Sequence, residues 1–292
     1  MLPSQSQWWP APAKLNLFLH VTSRRSDGYH TLQTLFQFLD RADRLRFDIT
    51  QDGCVTRAIA LPGVPEDADL CVRAARLLQQ ASGCTLGARI FLDKRLPLGG
   101  GLGGGSSDAA TTLLALNYLW GTQRTLAQLA TLGLTLGADV PVFVHGHAAW
   151  AEGVGEQITP VDLPEPWYVV LAPPVQVSTA AVFQSPELTR STPAITIRDF
   201  HAGRGRNDLE PVVCGMFPEV DNTLKWLSKF GQARMTGSGA CVFLAVESVA
   251  RGQEILALCP ETLARGFVAQ GVNVHPIHQQ YGDVMNWGVA KR

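Results

Sequence analysis

Between Pro97 and Asp108 the chain reads Pro-Leu-Gly-Gly-Gly-Leu-Gly-Gly-Gly-Ser-Ser-Asp, with six glycines in seven positions. Ordering six glycines costs ~2–6 kcal/mol relative to alanine, because each is freer in the unfolded chain. A fold accepts that cost where backbone must pass and a Cβ would clash, and a bound phosphate chain is the common reason. The run contains G-x-G-x-x-G at Gly99, Gly101 and Gly104. No Gly-Lys-Ser/Thr follows, which excludes a Walker-type loop. The strand before it is short and no acidic residue lies about 20 residues on within a βαβ unit, which speaks against a dinucleotide site. What remains is a glycine turn feeding a helix N-terminus, with the Ser106 and Ser107 hydroxyls at its mouth. That geometry offers N–H groups and a helix dipole to an anion.

Four other groups could do chemistry, and each has a plainer reading. Lys14 and Asn16 share one face of an alternating strand; they could equally be edge residues facing water. Asp139, in Gly137-Ala138-Asp139-Val140-Pro141, is a good helix N-cap. It could instead accept a proton from an attacking hydroxyl, held in its charged form by a nearby lysine. Thr236-Gly237-Ser238-Gly239-Ala240 is either a hairpin corner or a second wall of a phosphate site. Tyr29 and His30 are either ordinary strand residues or groups that stack on and hydrogen-bond a ring. His145 and His147 have no cysteine or carboxylate cluster beside them, so no metal ligand is assigned.

These groups need elements to position them. Residues 13–21 alternate, with Leu15, Leu17, Leu19 and Val21 facing one way and Lys14, Asn16, Phe18 and His20 the other, which predicts a strand with one core face. Residues 24–28 form a turn at Asp27-Gly28. Strands are expected over 29–39, around 45–50 and over 88–92. A helix is expected over 69–81, stopped by Gly83. The clearest helix covers 109–120, capped by Ser106, Ser107 or Asp108, with a stripe of Ala109, Leu113, Leu116 and Trp120 and a stop at Gly121. A Pro-rich junction follows at 159–166. Beyond it come strands over 167–172 and 241–246 and a helix near 220–230. This order gives an α+β class and not a regular βαβ series.

The totals set limits. The chain has 292 residues, net charge −1, 46% hydrophobic and 17% charged residues. That is a soluble globular composition, with no electrostatic reason to expect nucleic acid or an anionic membrane. The six cysteines are widely and irregularly spaced, without C-x-x-C, and read as buried thiols in a reducing cytoplasm. Met1 to Gln7 shows neither a basic n-region nor an apolar h-region, so a cytoplasmic, bacterial-type protein without a targeting segment is expected.

Taken together, the segments resemble the GHMP kinases, the family of galactokinase, homoserine kinase and mevalonate kinase. The strand bearing Lys14, the run from Pro97 to Ser107 and the turn from Thr236 to Ala240 carry the resemblance. Ala11-Pro12-Ala13-Lys14-Leu15-Asn16-Leu17, Arg25-Ser26-Asp27-Gly28-Tyr29-His30 and the Asp139 segment narrow it within the family, and Asn207-Asp208-Leu209-Glu210 fits as well. It spans about residues 10–246. The resemblance implies a two-lobed α+β fold, with a ribosomal S5-like lobe over 1–162 and a ferredoxin-like lobe over 163–292. It implies ATP as co-substrate with Mg²⁺, a small cytidylyl alcohol as acceptor, and a monomer or homodimer. Lys14 and Asp139 match the family's catalytic pair. Pro97, Leu98, Gly99, Gly100, Gly101, Leu102, Gly103, Gly104, Gly105, Ser106 and Ser107 match its ATP-phosphate loop. Asn16, Tyr29, His30, Thr179, Phe183, Gly237 and Ser238 are matched to the acceptor side, with Phe183 and Tyr29 stacking on cytosine. One departure is Asp69-Leu70, where related sequences often carry Asn-Leu near the implied adenine pocket. A carboxylate cannot donate the hydrogen bonds an amide can, so Asp69 is left out of the site.

Overall fold

A computed structural model describes residues 7–285 of the chain. The segment read above as carrying no leader lies outside the described residues up to Ser6. Strand β1 (Trp9–Arg24) turns at Gly28, whose φ is +89°, into the antiparallel β2 (His30–Thr50). Next come β3 (Val55–Arg57), α1 (Leu70–Ser82), β4 (Gly87–Asp93), α2 (Gly104–Leu119), α3 (Leu126–Leu134) and α4 (Val140–His145). The chain continues through β5 (Ala149–Glu152), β6 (Gln157–Pro160), β7 (Trp167–Ala172), α5 (Thr179–Gln184) and α6 (Ile197–His201). It ends with α7 (Glu210–Met216), α8 (Pro218–Leu227), β8 (Arg234–Met235), β9 (Val242–Val246), α9 (Val249–Ala257), β10 (Arg265–Val272) and α10 (Pro276–Met285).

The strands form one ten-stranded sheet along the path β3-β4-β2-β10-β7-β9-β8, with β1 and β5 also on β2 and β6 on β5. Every described pair is antiparallel except β3 with β4, which suits the α+β class. Strand β10 joins the two ends of the sheet, pairing with β7 along its length and with Leu39 and Phe38 of β2 at its tip. One apolar cluster packs α1, α2 and α4 on β2 and β4, with Phe38, Phe47, Leu78, Leu113 and Phe143 at its centre. A second packs α7, α8 and α9 on β7 and β9. A third gathers Leu15, Leu35, Val170 and Phe243. Ile277 and Tyr281 of α10 return to the first cluster.

Three local differences from the sequence reading have physical causes. The strands expected over 29–39 and near 45–50 are one strand, β2. The polar stretch between them reads as a break, but Asp43 is fully buried and accepts from Arg95 N at 2.5 Å and Leu96 N at 2.8 Å. Helix α2 starts five residues before Ala109, because Gly103 adopts φ +69° and opens the helix with no side-chain cap. Its residues 107–117 are all buried, so it is a core helix without a solvent face. Of the six cysteines only Cys71 and Cys241 are buried; Cys54 is exposed, and the thiol reading is corrected to that extent.

Asp69 has a structural task. Its carboxylate caps α1 by accepting from Cys71 N and pairs with Arg57 at 2.8 Å. Trp9, without an assigned role in the sequence, is fully buried against the rings of Tyr118 and Tyr281, at 6.5 and 5.6 Å. Among the described residues no helix is long and apolar enough to cross a membrane.

Candidate active site

Strand β1 carries Lys14 and Asn16 into the interior, where they are 2% and 3% exposed. The alternation is interrupted by register shifts between Pro12 and Lys14 and between Asn16 and Leu19. The edge away from β2 is covered, since Lys14 N donates to Leu102 O and Leu19 N to Arg206 O. The water-facing reading of this pair therefore does not hold. Lys14 Nζ donates to Asn16 Oδ1 and to Gly101 O at 3.0 Å, and stands 3.2 Å from Asp139 Oδ2. Those contacts fill the three donors of an ammonium. Asp139 precedes α4 in helical φ and ψ, and its side chain makes no cap hydrogen bond. Its carboxylate is committed to Lys14 and remains 34% exposed.

The glycine turn is shaped as much by protein as by any ligand. A Cβ on Gly101 would stand 2.3 Å from Thr236 O, and one on Gly103 2.9 Å from Lys14 Cε and 3.0 Å from Phe143 Cζ. The second glycine turn packs against the first, with Cys241 N donating to Gly100 O at 3.1 Å. Residues 236–241 do connect the hairpin β8 to β9, and they also form a wall of the site; the two readings hold together. Asn207 fixes that turn by donating to Met235 O and Gly237 O, while Glu210 accepts from Met235 N. Asp208 accepts from Val21 N, tying the segment to β1.

These elements enclose a cleft of about 600 Å³. Lys14, Asn16, Asp139, residues 97–106, Thr179, Phe183, Gly237 and Ser238 line it. Three assigned residues do not. Ser107 is fully buried in α2, its hydroxyl without a hydrogen-bond partner among the described residues. Tyr29 is 68% exposed. His30 stands behind Phe183, their rings stacked at 5.1 Å and 28°. The uncapped start of α2 leaves its first-turn N–H groups to a ligand, as a polyphosphate requires.

Sequence reasoning missed Lys94, which also lines the cleft. Its ammonium lies 2.5 Å from Asp43 Oδ2 and 2.7 Å from Asp108 Oδ2. Burial pushes the Asp108 carboxyl up to about 7; Asp43 pushes the same way, and Lys94 opposes them. The available signal was a lysine between strand β4 and the glycine turn, but its two partners are remote in sequence or hidden in a helix. Thr34 was missed as well; it accepts from Asn16 Nδ2 and so fixes the amide that faces Lys14.

A glycine-lined cleft with Lys14 and Asp139 at its wall suits the positioning and charge neutralisation that a small-molecule kinase needs. The GHMP kinases N terminal domain matches residues 69–147 and the GHMP kinases C terminal domain residues 191–263, and the chain belongs to that family. It is 59% identical over 273 residues to 4-diphosphocytidyl-2-C-methyl-D-erythritol kinase of Thiobacillus denitrificans, covering 94% of this chain and 98% of the relative. A crystal structure of 4-(cytidine 5'-diphospho)-2C-methyl-D-erythritol kinase superposes with a TM-score of 0.79 at 36% identity, over 91% of this chain and 99% of the other. Homoserine kinase from Cytophaga hutchinsonii shares the fold, with a TM-score of 0.67 at 17% identity over 94% and 98% of the two chains.

Proposed function

We propose that this enzyme transfers the γ-phosphoryl group of ATP to the 2-hydroxyl of 4-diphosphocytidyl-2-C-methyl-D-erythritol, in non-mevalonate isoprenoid precursor biosynthesis. One observation carries the reading: Lys14 and Asp139, 3.2 Å apart, share a cleft with the glycine turn and Phe183. The 59% identity to kinases of that name supports the choice of acceptor.

Phosphoryl transfer asks mainly for positioning and charge neutralisation. The N–H groups of residues 99–106 and the start of α2 hold the phosphates. Mg²⁺, when bound, neutralises phosphate charge, and the cleft-lining hydroxyl of Ser106 is a donor that would hold it there. The acceptor oxygen bonds to the γ-phosphorus while the bond to the β–γ bridging oxygen breaks and ADP leaves. Asp139 takes the hydroxyl proton. Lys14 orients Asp139 and offsets the developing negative charge, itself held in place by Asn16 and Gly101. Phe183, with His30 behind it, offers a stacking face for cytosine, and Asn16, Thr179, Gly237 and Ser238 line the acceptor side of the cleft. The free cysteines suit a reducing cytoplasm, where ATP is at hand.

The test is ADP release by the purified protein with 4-diphosphocytidyl-2-C-methyl-D-erythritol, mevalonate and homoserine in parallel. Release with the cytidylyl alcohol alone is expected. Release with mevalonate or homoserine instead would place the chain with another GHMP kinase activity, and no release with any of them would leave a nucleotide-binding module.

A further inference from the structure

Arg190 lies outside every motif singled out in the sequence, yet two of its nitrogens hold residues of the proposed base pocket. Its Nε donates to His30 Nε2 at 3.1 Å. Its Nη2 donates to Phe183 O at 3.0 Å and to Ser185 O at 2.6 Å, and its Nη1 to Leu188 O at 3.1 Å. The residue therefore holds both members of the stacked pair, one through its ring and the other through its backbone.

A guanidinium has donors only. The His30 nitrogen that faces it must carry a lone pair, which places the proton of the neutral imidazole on Nδ1. We propose that Arg190 is a positioning residue for base selection: it fixes His30 as the Nδ1–H tautomer and holds Phe183 against it, so that Phe183 meets cytosine with a preset stacking face. This rests on the assignment of His30 and Phe183 to the cytidylyl substrate made above.

The charges around His30 agree with that arrangement. Burial lowers the pKa of its imidazole, and Arg190 and Arg24 push it the same way. Arg24 faces His30 directly across the β1–β2 register. A second proton on the ring would have to sit at Nε2, against the guanidinium.

The measurement has two parts. Nitrogen-15 NMR of the wild-type imidazole should show His30 with Nε2 unprotonated and Nδ1 protonated at neutral pH. Arg190→Gln should raise KM for the cytidylyl substrate about tenfold, the scale of one charge-assisted hydrogen bond, with KM for ATP changed less than about twofold. The acid limb of its kcat/KM profile should move to higher pH, because Nε2 is then free to take a proton. Arg190→Lys keeps the charge but cannot reach both residues, and should resemble Arg190→Gln in KM. An Nε2–H tautomer in the wild type, an unchanged cytidylyl KM, or an equal rise in both KM values would overturn the inference. If Phe183→Ala raises the cytidylyl KM and Arg190→Gln does not, only the role of Arg190 falls. If Phe183→Ala also leaves it unchanged, the reading of the pocket falls with it.

Discussion

Gly103 and Lys14 fit each other with no room for a methyl group, since a Cβ on Gly103 would stand 2.9 Å from Lys14 Cε. Gly103→Ala must displace the lysine or shift the turn. It also places alanine at φ +69°, which costs about 1 kcal/mol in strain. Steady-state kinetics should show kcat down by at least about tenfold, because a misplaced group loses that much readily. Gly121→Ala is the control: Gly121 has φ +65° but nothing within 4 Å of its added Cβ, so it should lower stability and leave kcat unchanged.

Asp139→Asn keeps the shape of the side chain and removes its capacity to take a proton. Turnover should fall by roughly 10²–10⁴, the usual worth of general-base help, while ATP still binds. Equilibrium nucleotide binding and single-turnover rates measure the two separately. Near-wild-type turnover would remove Asp139 from the mechanism.

Asp108 gives a pH signature. Its folded-state carboxyl is pushed up to about 7 from 3.8, mainly by burial. Between those values the folded state holds a proton that the unfolded state has lost. Its contribution to stability is therefore present at low pH and is lost as pH rises through about 7. Asp108→Asn removes that titration. Urea unfolding should show the variant gaining on the wild type as pH rises from about 5 to about 8. An equal difference at both ends would contradict the assignment.

Phe183→Ala removes the stacking face and leaves the phosphate loop untouched. KM for the cytidylyl substrate should rise roughly tenfold, as expected for one lost base-aromatic stack, and KM for ATP should not follow. Initial rates with each substrate varied in turn decide it.

The chemistry of the cleft was legible where one residue type answers one demand. The glycine run, the alternating strand and the Asp139 segment all converge on it. The reason given for the glycines was incomplete: Gly101 and Gly103 are glycines because Thr236 and Lys14 occupy the space a Cβ would take. Asp139 could not be told from an N-cap without the position of Lys14. Lys94 and Arg190 were not legible, because their meaning lies in partners 51 and 160 residues away, Asp43 and His30. β2 was split in two because a carboxylate inside a strand reads as a break until the N–H groups that bury it are known.

The most direct measurement is the phosphorus-31 NMR spectrum of the product formed by the purified protein from ATP and 4-diphosphocytidyl-2-C-methyl-D-erythritol. The account predicts one new phosphomonoester on the erythritol 2-oxygen, with the cytidylyl diphosphate intact and one ADP released per monoester. ADP release without that signal, or a monoester formed on mevalonate or homoserine in preference, would contradict it.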